Sequence, residues 1–179
     1  MKSLARRTVT FVQYAIIDTE WGAFGYVVRD GRLVATFLPA SRTAIKRAIK
    51  QRWPDAVETS NLLPRFRKQV TDYFAGKSVK FTVDLDISDL PTFRQSVLKQ
   101  CRRIPCGKTA SYADLARAVG NPGAVRAVGG AMANNPLPLV IPCHRVLRSD
   151  GSLGGFSTPQ GVKQKKRMLR LEDAPAVLP

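Results

Sequence analysis

The amino-acid pattern of this 179-residue chain changes character at Pro91. Upstream of this proline, strand-like alternation and helical periodicity take turns along the chain. Downstream, the segments are short, helical and separated by glycine or proline. The first pattern predicts an α/β unit with a small, mainly antiparallel sheet, and the second predicts a mainly α unit. We therefore expect two domains, residues 1–90 and residues 91–179.

Three stretches of the first half have the composition of strands. TVTFVQYAII predicts one strand, and GAFGYVVRDGRLVATFLP predicts a β-hairpin whose Asp30 and Gly31 suit a type I′ turn. VKFTVDLDI, residues 79–87, alternates strictly and predicts a third strand region. Ser41 or Thr43 can cap an intervening helix, and LLPRFRKQVTDYFAGK predicts a second helix that ends at its glycine. We find no catalytic constellation in this half.

The second half contains a candidate helix-turn-helix. Ser111 and Asp114 form a capping box for YADLARAV, which ends at Gly120. Asn121 is then expected to cap a further helix, GAVRAVGGAMA, with Pro122 at its first position. Two short helices joined by a glycine-bearing turn are typical of DNA-binding motifs, although helix pairs also occur in ordinary cores.

The second of these helices has two distinct faces when it is wound at 3.6 residues per turn. One face is apolar and consists of Val125, Val128 and Met132. The strip beside it has one guanidinium and almost no side-chain bulk, and consists of Arg126, Gly129, Gly130 and Ala133. Glycine inside a helix costs about 0.5–1 kcal/mol relative to alanine. Either a close helix–helix contact or a nucleic-acid backbone lying against the strip would explain the two glycines.

The charge balance favours the nucleic acid. The chain has 29 Lys and Arg against 13 Asp and Glu, giving a formal net charge of +16. The excess is larger in the second half, which has 14 basic and 4 acidic residues. Such an excess favours a polyanionic partner, with nucleic acid ahead of an anionic membrane, and a merely basic soluble surface is the alternative.

The sequence predicts a cytoplasmic protein. The start MKSLARRTVTFVQYAII is basic and then apolar, but polar residues interrupt it and no small-residue cleavage site follows. No apolar run is long enough to span a bilayer. Three cysteines, an odd number, indicate free thiols in a reducing compartment.

The one histidine, His144, directly follows Cys143 in the run NNPLPLVIPCHRVLRSDG. A free thiol is only a few per cent ionised at neutral pH, and a nearby imidazole is the usual means of activating it. Adjacent side chains seldom point at each other, so we expect the pair to communicate through a bridging water. A third group should orient the imidazole, and Glu172 is the candidate because Asp114 already serves a helix cap.

Three other interpretations of the thiol remain open at this level. Cys143 can be an inert core residue, because cysteine is often buried. A zinc site from Cys101, Cys106, Cys143 and His144 is possible in number but lacks paired C-x-x-C spacing. A cysteine hydrolase would need a histidine distant in sequence, and the chain has no second histidine.

Several motifs in order closely resemble the O6-alkylguanine-DNA alkyltransferase family. IPCHRV is preceded by RAVGGAMANNPLPLV and followed by SDGSLGGFS, and PTFRQSVLKQCRRIPCGKTASYADLA lies upstream. YFAGKSVKFTVDLDI extends the resemblance into the first half. The resemblance implies an RNase H-like roll in the first domain. It also implies a winged-helix or helix-turn-helix second domain that binds the DNA minor groove as a monomer.

The resemblance also implies the chemistry. Such proteins flip an O6-alkylguanine out of double-stranded DNA and move its alkyl group irreversibly onto a cysteine, here Cys143. His144 would be the base, acting through water, and Glu172 its orienting carboxylate. Tyr112 would donate a proton toward guanine N3, and Asn135 would brace the turn before the active-site strand.

Further positions acquire binding roles from the resemblance. Arg126 would fill the space that the flipped base vacates, while Gly129, Gly130 and Ala133 would let the helix lie close to the groove. The substrate pocket would be formed by Val146, by Ser157 over the O6 edge, and by Phe156, which stands where tyrosine is frequent. No cysteine or histidine precedes Cys101, so we predict no zinc in the first domain and no cofactor.

Chemistry sets the turnover, because no residue or cofactor here could displace a methyl group from a thioether. We therefore expect one transfer per molecule. Two other function classes stay open: a non-enzymatic alkyl-lesion binder, which would lack the acceptor cysteine, and a helix-turn-helix transcription regulator. The regulator would carry base-reading side chains where this chain has Gly129 and Gly130.

Overall fold

The computed structural model describes residues 11–174. Three strands, β1 (Val12–Thr19), β2 (Gly22–Arg29) and β3 (Arg32–Ala40), form an antiparallel meander. A two-residue strand, β4 (Val57–Glu58), adds to β1 in parallel, which gives the order β3-β2-β1-β4. The sheet is therefore small and mainly antiparallel, as the sequence predicts. The first residues of the predicted strand TVTFVQYAII lie outside the described part of the chain.

The sheet is buried on both faces, which explains why its strands are apolar almost throughout. Tyr14 and Ile16 face one side, where they pack with Ile45 and Ile49 of α1 (Arg42–Arg52). Alternate strand residues face the other side, toward α2 (Pro64–Phe74) and the second half of the chain. Gly25 of β2 is required by the first contact, because a Cβ atom there would collide with the Ile45 side chain.

The predicted turns and caps of the first half are confirmed. Asp30 and Gly31 both have positive φ, 49° and 78°, as a type I′ hairpin requires. The Ser41 side chain accepts a hydrogen bond from the Ala44 N–H and caps α1. Gly76 follows α2 with a φ of 81°, the left-handed conformation of a helix C′ glycine.

The strand predicted at residues 79–87 is wrong. This segment is extended, but its one bridge joins Leu85 to Leu33, with no continuous ladder. Side chains bind its carbonyl groups instead: Gln69 Nε2 donates to the Lys80 carbonyl at 2.7 Å, and an Arg102 Nη donates to the Val83 carbonyl at 2.6 Å. A donor from a helix thus takes the place of a neighbouring strand. Alternation alone cannot distinguish the two cases.

The second half consists of short helices around one small strand pair. Its elements are α3 (Thr92–Arg102), β5 (Ala110–Ser111), α4 (Tyr112–Ala118), α5 (Val125–Ala133), β6 (Val146–Leu147) and α6 (Gly161–Leu171). β5 and β6 pair in parallel. α4 begins with the predicted capping box, in which Ser111 and Asp114 bond each other's backbone N–H groups. α4 and α5 pack together, as expected for a helix-turn-helix pair.

The predicted start of α5 is wrong. Asn121 and Pro122 lie in a turn, closed by a 3.0 Å hydrogen bond from the Ala124 N–H to the Asn121 carbonyl, and the helix begins at Val125. Val125 is 38% exposed and does not share the buried face of Val128 and Met132. The first residue of α5 therefore exposes an apolar side chain to the surface.

The two halves share a core and a polar junction. One cluster of buried residues joins the inner face of the sheet to α2, α3, α5 and the segment around Cys143. Thr36 of β3 donates from its N–H to the Pro136 carbonyl at 3.0 Å, and from its hydroxyl to the Pro138 carbonyl at 2.6 Å. The edge of the sheet thus holds the segment that leads to Cys143. Across residues 11–174, no helix is both long and apolar enough to cross a bilayer.

Candidate active site

The backbone around Cys143 is fixed from several directions. Cys143 is the first residue of a single 3-10 turn, Cys143–Arg145. The expected active-site strand is therefore wrong for this residue, because β6 begins only at Val146. Asn135 braces the loop before it, donating to the Ile141 carbonyl at 2.8 Å and accepting from the Leu137 N–H at 3.0 Å. Leu139 is buried in a left-handed conformation with a φ of 82°. Such strain, on the order of 1–3 kcal/mol, persists only where packing enforces it.

Cys143 lines a cavity of about 410 Å³, within the size range of small-ligand pockets. The predicted residues that line it are Cys143, Tyr112, Asn135, Arg126, Gly129, Ala133, Phe156 and Ser157. Val146 does not line this cavity: it is fully buried and its backbone pairs with Ala110. Gly130 lies on the exposed side of α5, outside the lining. The structure therefore brings most of the predicted site together around one space.

Behind Cys143 lies a buried network centred on Glu172, which follows α6. His144 Nε2 is 2.8 Å from Glu172 Oε1, and both side chains are almost completely buried. Arg145 donates twice, from Nε to Oε2 at 2.8 Å and from an Nη to Oε1 at 2.9 Å. A carboxylate that accepts from a guanidinium is ionised, so Nε2 carries the imidazole hydrogen. Within residues 11–174, His144 Nδ1 is buried without a hydrogen-bond partner, and its lone pair is therefore available as a base.

The pKa shifts in this network favour a neutral His144 that can accept a proton. Burial lowers the pKa of His144 despite the opposing effect of Glu172, so the imidazole is neutral near pH 7. Burial alone would raise the pKa of Glu172, but hydrogen bonds from His144 and Arg145 hold it well below its usual range. Burial raises the pKa of the Cys143 thiol, with a hydrogen bond from Asn135 acting in the opposite direction. The resting form is thus a thiol beside a neutral imidazole.

Two buried polar side chains reach the site without a signal in the sequence. Lys165 of α6 is fully buried and donates to the Val146 carbonyl at 2.6 Å and to the Leu153 carbonyl. Burial lowers its pKa to about 8, and its charge favours the thiolate of Cys143. The Tyr73 hydroxyl of α2 donates to Glu172 Oε1 at 2.7 Å. In the sequence, Lys165 is part of a basic run and Tyr73 is part of an apolar helix face, so neither pattern indicates a role in the site.

The glycine strip of α5 is not explained by close packing. In the described part of the chain, a Cβ atom on Gly129 or Gly130 would meet nothing within 4 Å. Helix–helix contact therefore does not account for either residue, and the strip is left open beside the cavity that Arg126 lines. A ligand outside the chain is the remaining explanation from the sequence.

The alternative zinc site is not assembled. Among residues 11–174, no three Cys, His, Asp or Glu side chains are grouped in a way that could hold a metal ion. Cys101, Cys106 and Cys143 are all free thiols. The four proposed ligands therefore do not form a common site.

Comparison with known proteins gives consistent matches. Residues 92–174 match the family profile described as "6-O-methylguanine DNA methyltransferase, DNA binding domain". The Escherichia coli "Bifunctional transcriptional activator/DNA repair enzyme Ada" is 37% identical over 164 residues, which cover 90% of this chain and 45% of that protein. The "Methylated-DNA--protein-cysteine methyltransferase" of Mycobacterium bovis is 42% identical over 108 residues, 60% of this chain and 64% of that protein. The chain thus spans less than two thirds of the length of either relative.

A solved structure extends the match to nearly the whole chain. The crystal structure of the Mycobacterium tuberculosis OGT in complex with DNA superimposes with a TM-score of 0.75 and 33% identity, covering 92% of this chain and 96% of that one. The sequence match and the structural match therefore both extend over the two halves of the chain. The chain belongs to the O6-methylguanine-DNA methyltransferase family.

Proposed function

We propose that this protein repairs DNA by moving an alkyl group from O6 of a guanine to the sulfur of Cys143, once per molecule. The observation that carries the proposal is the pairing of an accessible cavity with a buried base. Cys143 lines a cavity of ligand size, and the next residue, His144, is hydrogen-bonded to Glu172 in the buried interior. Its relatives include a methylated-DNA–protein-cysteine methyltransferase and a protein whose structure contains DNA.

We propose that the reaction begins with ionisation of the Cys143 thiol. The thiol proton moves through a bridging water to Nδ1 of His144, while Glu172 stabilises the resulting imidazolium. The sulfur attacks the alkyl carbon, the S–C bond forms, and the C–O6 bond breaks with its electron pair on the purine. Tyr112 donates its proton to N3, so guanine leaves neutral. The imidazolium then releases its proton to solvent, and solvent returns a proton to the phenolate. Burial raises the pKa of Tyr112, which keeps the phenol protonated until it is needed. The thioether product has no route back.

We further propose that the lesion enters the cavity by base flipping from double-stranded DNA. An O6-alkyl group within a stacked duplex is out of reach of Cys143, a residue that is only 7% exposed. The strip of Gly129, Gly130 and Ala133 would lie against the minor groove, with Arg126 in the vacated space. Domains at 1–90 and 91–179, an RNase H-like roll, a winged helix and a monomeric state are parts of the same proposal.

The two other function classes are less well supported. A pure lesion binder has no use for a thiol backed by a histidine and an ionised glutamate. A transcription regulator would read bases with side chains from the second helix, and α5 presents two glycines there. The acceptor chemistry is what both alternatives leave unexplained.

Removal of the lesion from DNA tests the proposal. A duplex with a single O6-methylguanine is incubated with increasing protein, digested to nucleosides and separated by chromatography. We expect O6-methylguanine to be converted to guanine in proportion to protein, with one lesion removed per molecule and no further loss on longer incubation. Conversion of many lesions per molecule would contradict the stoichiometric mechanism, and no conversion would contradict the function.

Arg126→Ala should separate DNA repair from chemistry at the sulfur. Arg126 lines the outer part of the site on α5, so its loss should slow repair of duplex DNA by about tenfold or more, because flipping leaves a gap that costs a few kcal/mol. The rate with free O6-benzylguanine should change far less. Arg65→Ala, an exposed arginine on α2, is the matched control and should leave both rates unchanged. Equal losses on both substrates would refute the role of Arg126.

Gly129→Ala should make the protein more stable and bind DNA less tightly. The added methyl group meets no protein atom within 4 Å among the residues described here, so helix propensity should raise the free energy of unfolding by about 0.5–1 kcal/mol. The same methyl group would hold the helix away from a nucleic-acid backbone. Denaturant unfolding and a duplex-binding titration measure the two effects. Unchanged affinity would show that the strip does not contact DNA.

A further inference from the structure

The carboxylate of Glu172 receives a hydrogen bond from the opposite half of the chain. Tyr73 lies on α2, 99 residues away in sequence, and its hydroxyl donates to Glu172 Oε1 at 2.7 Å. The Tyr73 ring is only 1% exposed and packs edge-on against Phe74, with ring centroids 5.1 Å apart, and against Phe81 at 6.0 Å. These contacts fix the ring, so the position of its hydroxyl oxygen is fixed as well.

The hydroxyl is one of four donor groups that bind the carboxylate. Oε1 accepts from the Tyr73 hydroxyl, from His144 Nε2 and from an Arg145 Nη, while Oε2 accepts from Arg145 Nε. Three donors thus share Oε1, and one binds Oε2, so the contacts at Oε1 fix how the carboxylate faces His144. Of the three residues within 11–174 that donate to the carboxylate here, Tyr73 is the one from the first half.

An ionised carboxylate can act on His144 in one way only. It cannot donate, so Nε2 must keep its hydrogen and Nδ1 must keep its lone pair. Rotation of the carboxylate would break the hydrogen bonds that Oε1 accepts in the buried interior. Arg145 is itself held by the Ile104 carbonyl at 2.6 Å, so it cannot follow a moving carboxylate. The orientation of the base therefore depends on all three donors.

We propose that Tyr73 is a positioning residue for alkyl transfer, acting through Glu172 to hold the tautomer and basicity of His144. This inference rests on the proposed function. The positive end of the Tyr73 O–H dipole faces Oε1 and reduces the pull of the carboxylate on an imidazolium. Without the hydroxyl, the carboxylate is held less firmly, so His144 should be oriented less often for transfer of the thiol proton and the rate should fall. The imidazole should also be protonated by solvent at higher pH. Part of the catalytic machinery then belongs to the first half of the chain.

The test is Tyr73→Phe, which removes one oxygen atom. We expect the single-turnover rate of methyl transfer near pH 7 to fall by about tenfold, the range of a hydrogen bond to a charged group. The acid limb of the rate–pH profile should move to higher pH, with DNA affinity unchanged. Tyr14→Phe is the matched control: Tyr14 is also 1% exposed, and its hydroxyl donates to the Glu58 carboxylate at 2.9 Å in the same half. It should leave rate and profile unchanged.

A double-mutant cycle distinguishes action through Glu172 from a general loss of structure. In a Glu172→Gln background, Tyr73→Phe should lower the rate no further. Equal rates for Tyr73→Phe and wild type, a similar loss in Tyr14→Phe, or full additivity in the cycle would each overturn the inference while leaving the proposed function intact. A wild-type protein that transfers no methyl group would overturn both.

The single histidine of the chain supplies a measurement that needs no variant. Imidazole nitrogen NMR of the wild-type protein should show one neutral tautomer, with hydrogen on Nε2, near pH 7. In Tyr73→Phe the imidazole of His144 should titrate at higher pH. Hydrogen on Nδ1 in the wild-type protein would overturn the inference even if the variant failed to fold.

Discussion

Cys143→Ser should eliminate methyl transfer, with a rate loss of more than about 10³-fold, while the protein still folds and binds duplex DNA. A serine hydroxyl is far less acidic than a thiol, and a neutral imidazole cannot ionise it to a useful extent. Attack on a saturated carbon also requires a polarisable nucleophile, which oxygen does not supply. The site is only 7% exposed, so the added hydroxyl should lower the free energy of unfolding by about 1–3 kcal/mol.

The chain provides its own matched control in Cys106→Ser. Cys106 is a free, half-buried thiol outside the cavity that Cys143 lines. This variant should transfer methyl groups at the wild-type rate, which shows that handling and oxidation of thiols do not account for the loss. Residual transfer by Cys143→Ser, or loss of transfer in Cys106→Ser, would place the acceptor elsewhere.

Glu172→Gln should have the second large effect, on rate and on stability together. Glutamine cannot stabilise an imidazolium and can present an N–H to the ring, so the rate of transfer should fall by about 10²-fold or more. Arg145, whose side chain is 7% exposed, would lose its buried counter-charge. Breaking such a pair by removing one partner costs about 3–5 kcal/mol, so we expect a loss of about 3 kcal/mol near pH 7.

The stability difference should depend on pH in a defined direction. Hydrogen bonds in the folded protein hold the pKa of Glu172 well below its usual range, whereas an unfolded glutamate titrates near about 4.3. Its contribution is therefore fully present above about pH 4.3 and is lost as the pH falls below that value toward the folded pKa. The difference in the free energy of unfolding between wild type and Glu172→Gln should therefore become smaller in acid.

Glu58→Gln is the control for this experiment, because Glu58 is a partly exposed carboxylate paired with Lys46. Its effect on the free energy of unfolding should stay below about 1 kcal/mol. Denaturant unfolding from pH 3 to pH 8 measures all three proteins. A gap between wild type and Glu172→Gln that is absent, or the same at every pH, would contradict the network as described.

The sequence predicts the acceptor, the base and its carboxylate because each has a chemical signature. A lone histidine beside a cysteine needs a partner, and only four acidic residues in the second half compete for that place. Tyr73 has no such signature, because it continues the apolar stripe of Phe66 and Val70 and reads as core. Lys165 stands in the run KQKKR, which reads as a solvated face, although this lysine is completely buried.

The errors in the fold have a common physical origin. The segment at residues 79–87 alternates like a strand, and Asn121 with Pro122 has the composition of a helix start. In each case a tertiary contact or a local turn satisfies the backbone in another way. The periodicity and cap signals within the sheet and in α4 succeed because burial on fixed faces enforces them. Prediction fails where such a contact competes with the local pattern: a donor from another element at residues 79–87, and a local turn at Asn121.

The position of the transferred group tests the central claim most directly. After reaction with duplex O6-methylguanine, the protein is digested and its peptides are mapped by mass spectrometry. We predict one additional methyl group, on the sulfur of the residue between Pro142 and His144, in a fraction of molecules equal to the lesions removed. Lesions that disappear while that peptide keeps its original mass would contradict the assignment.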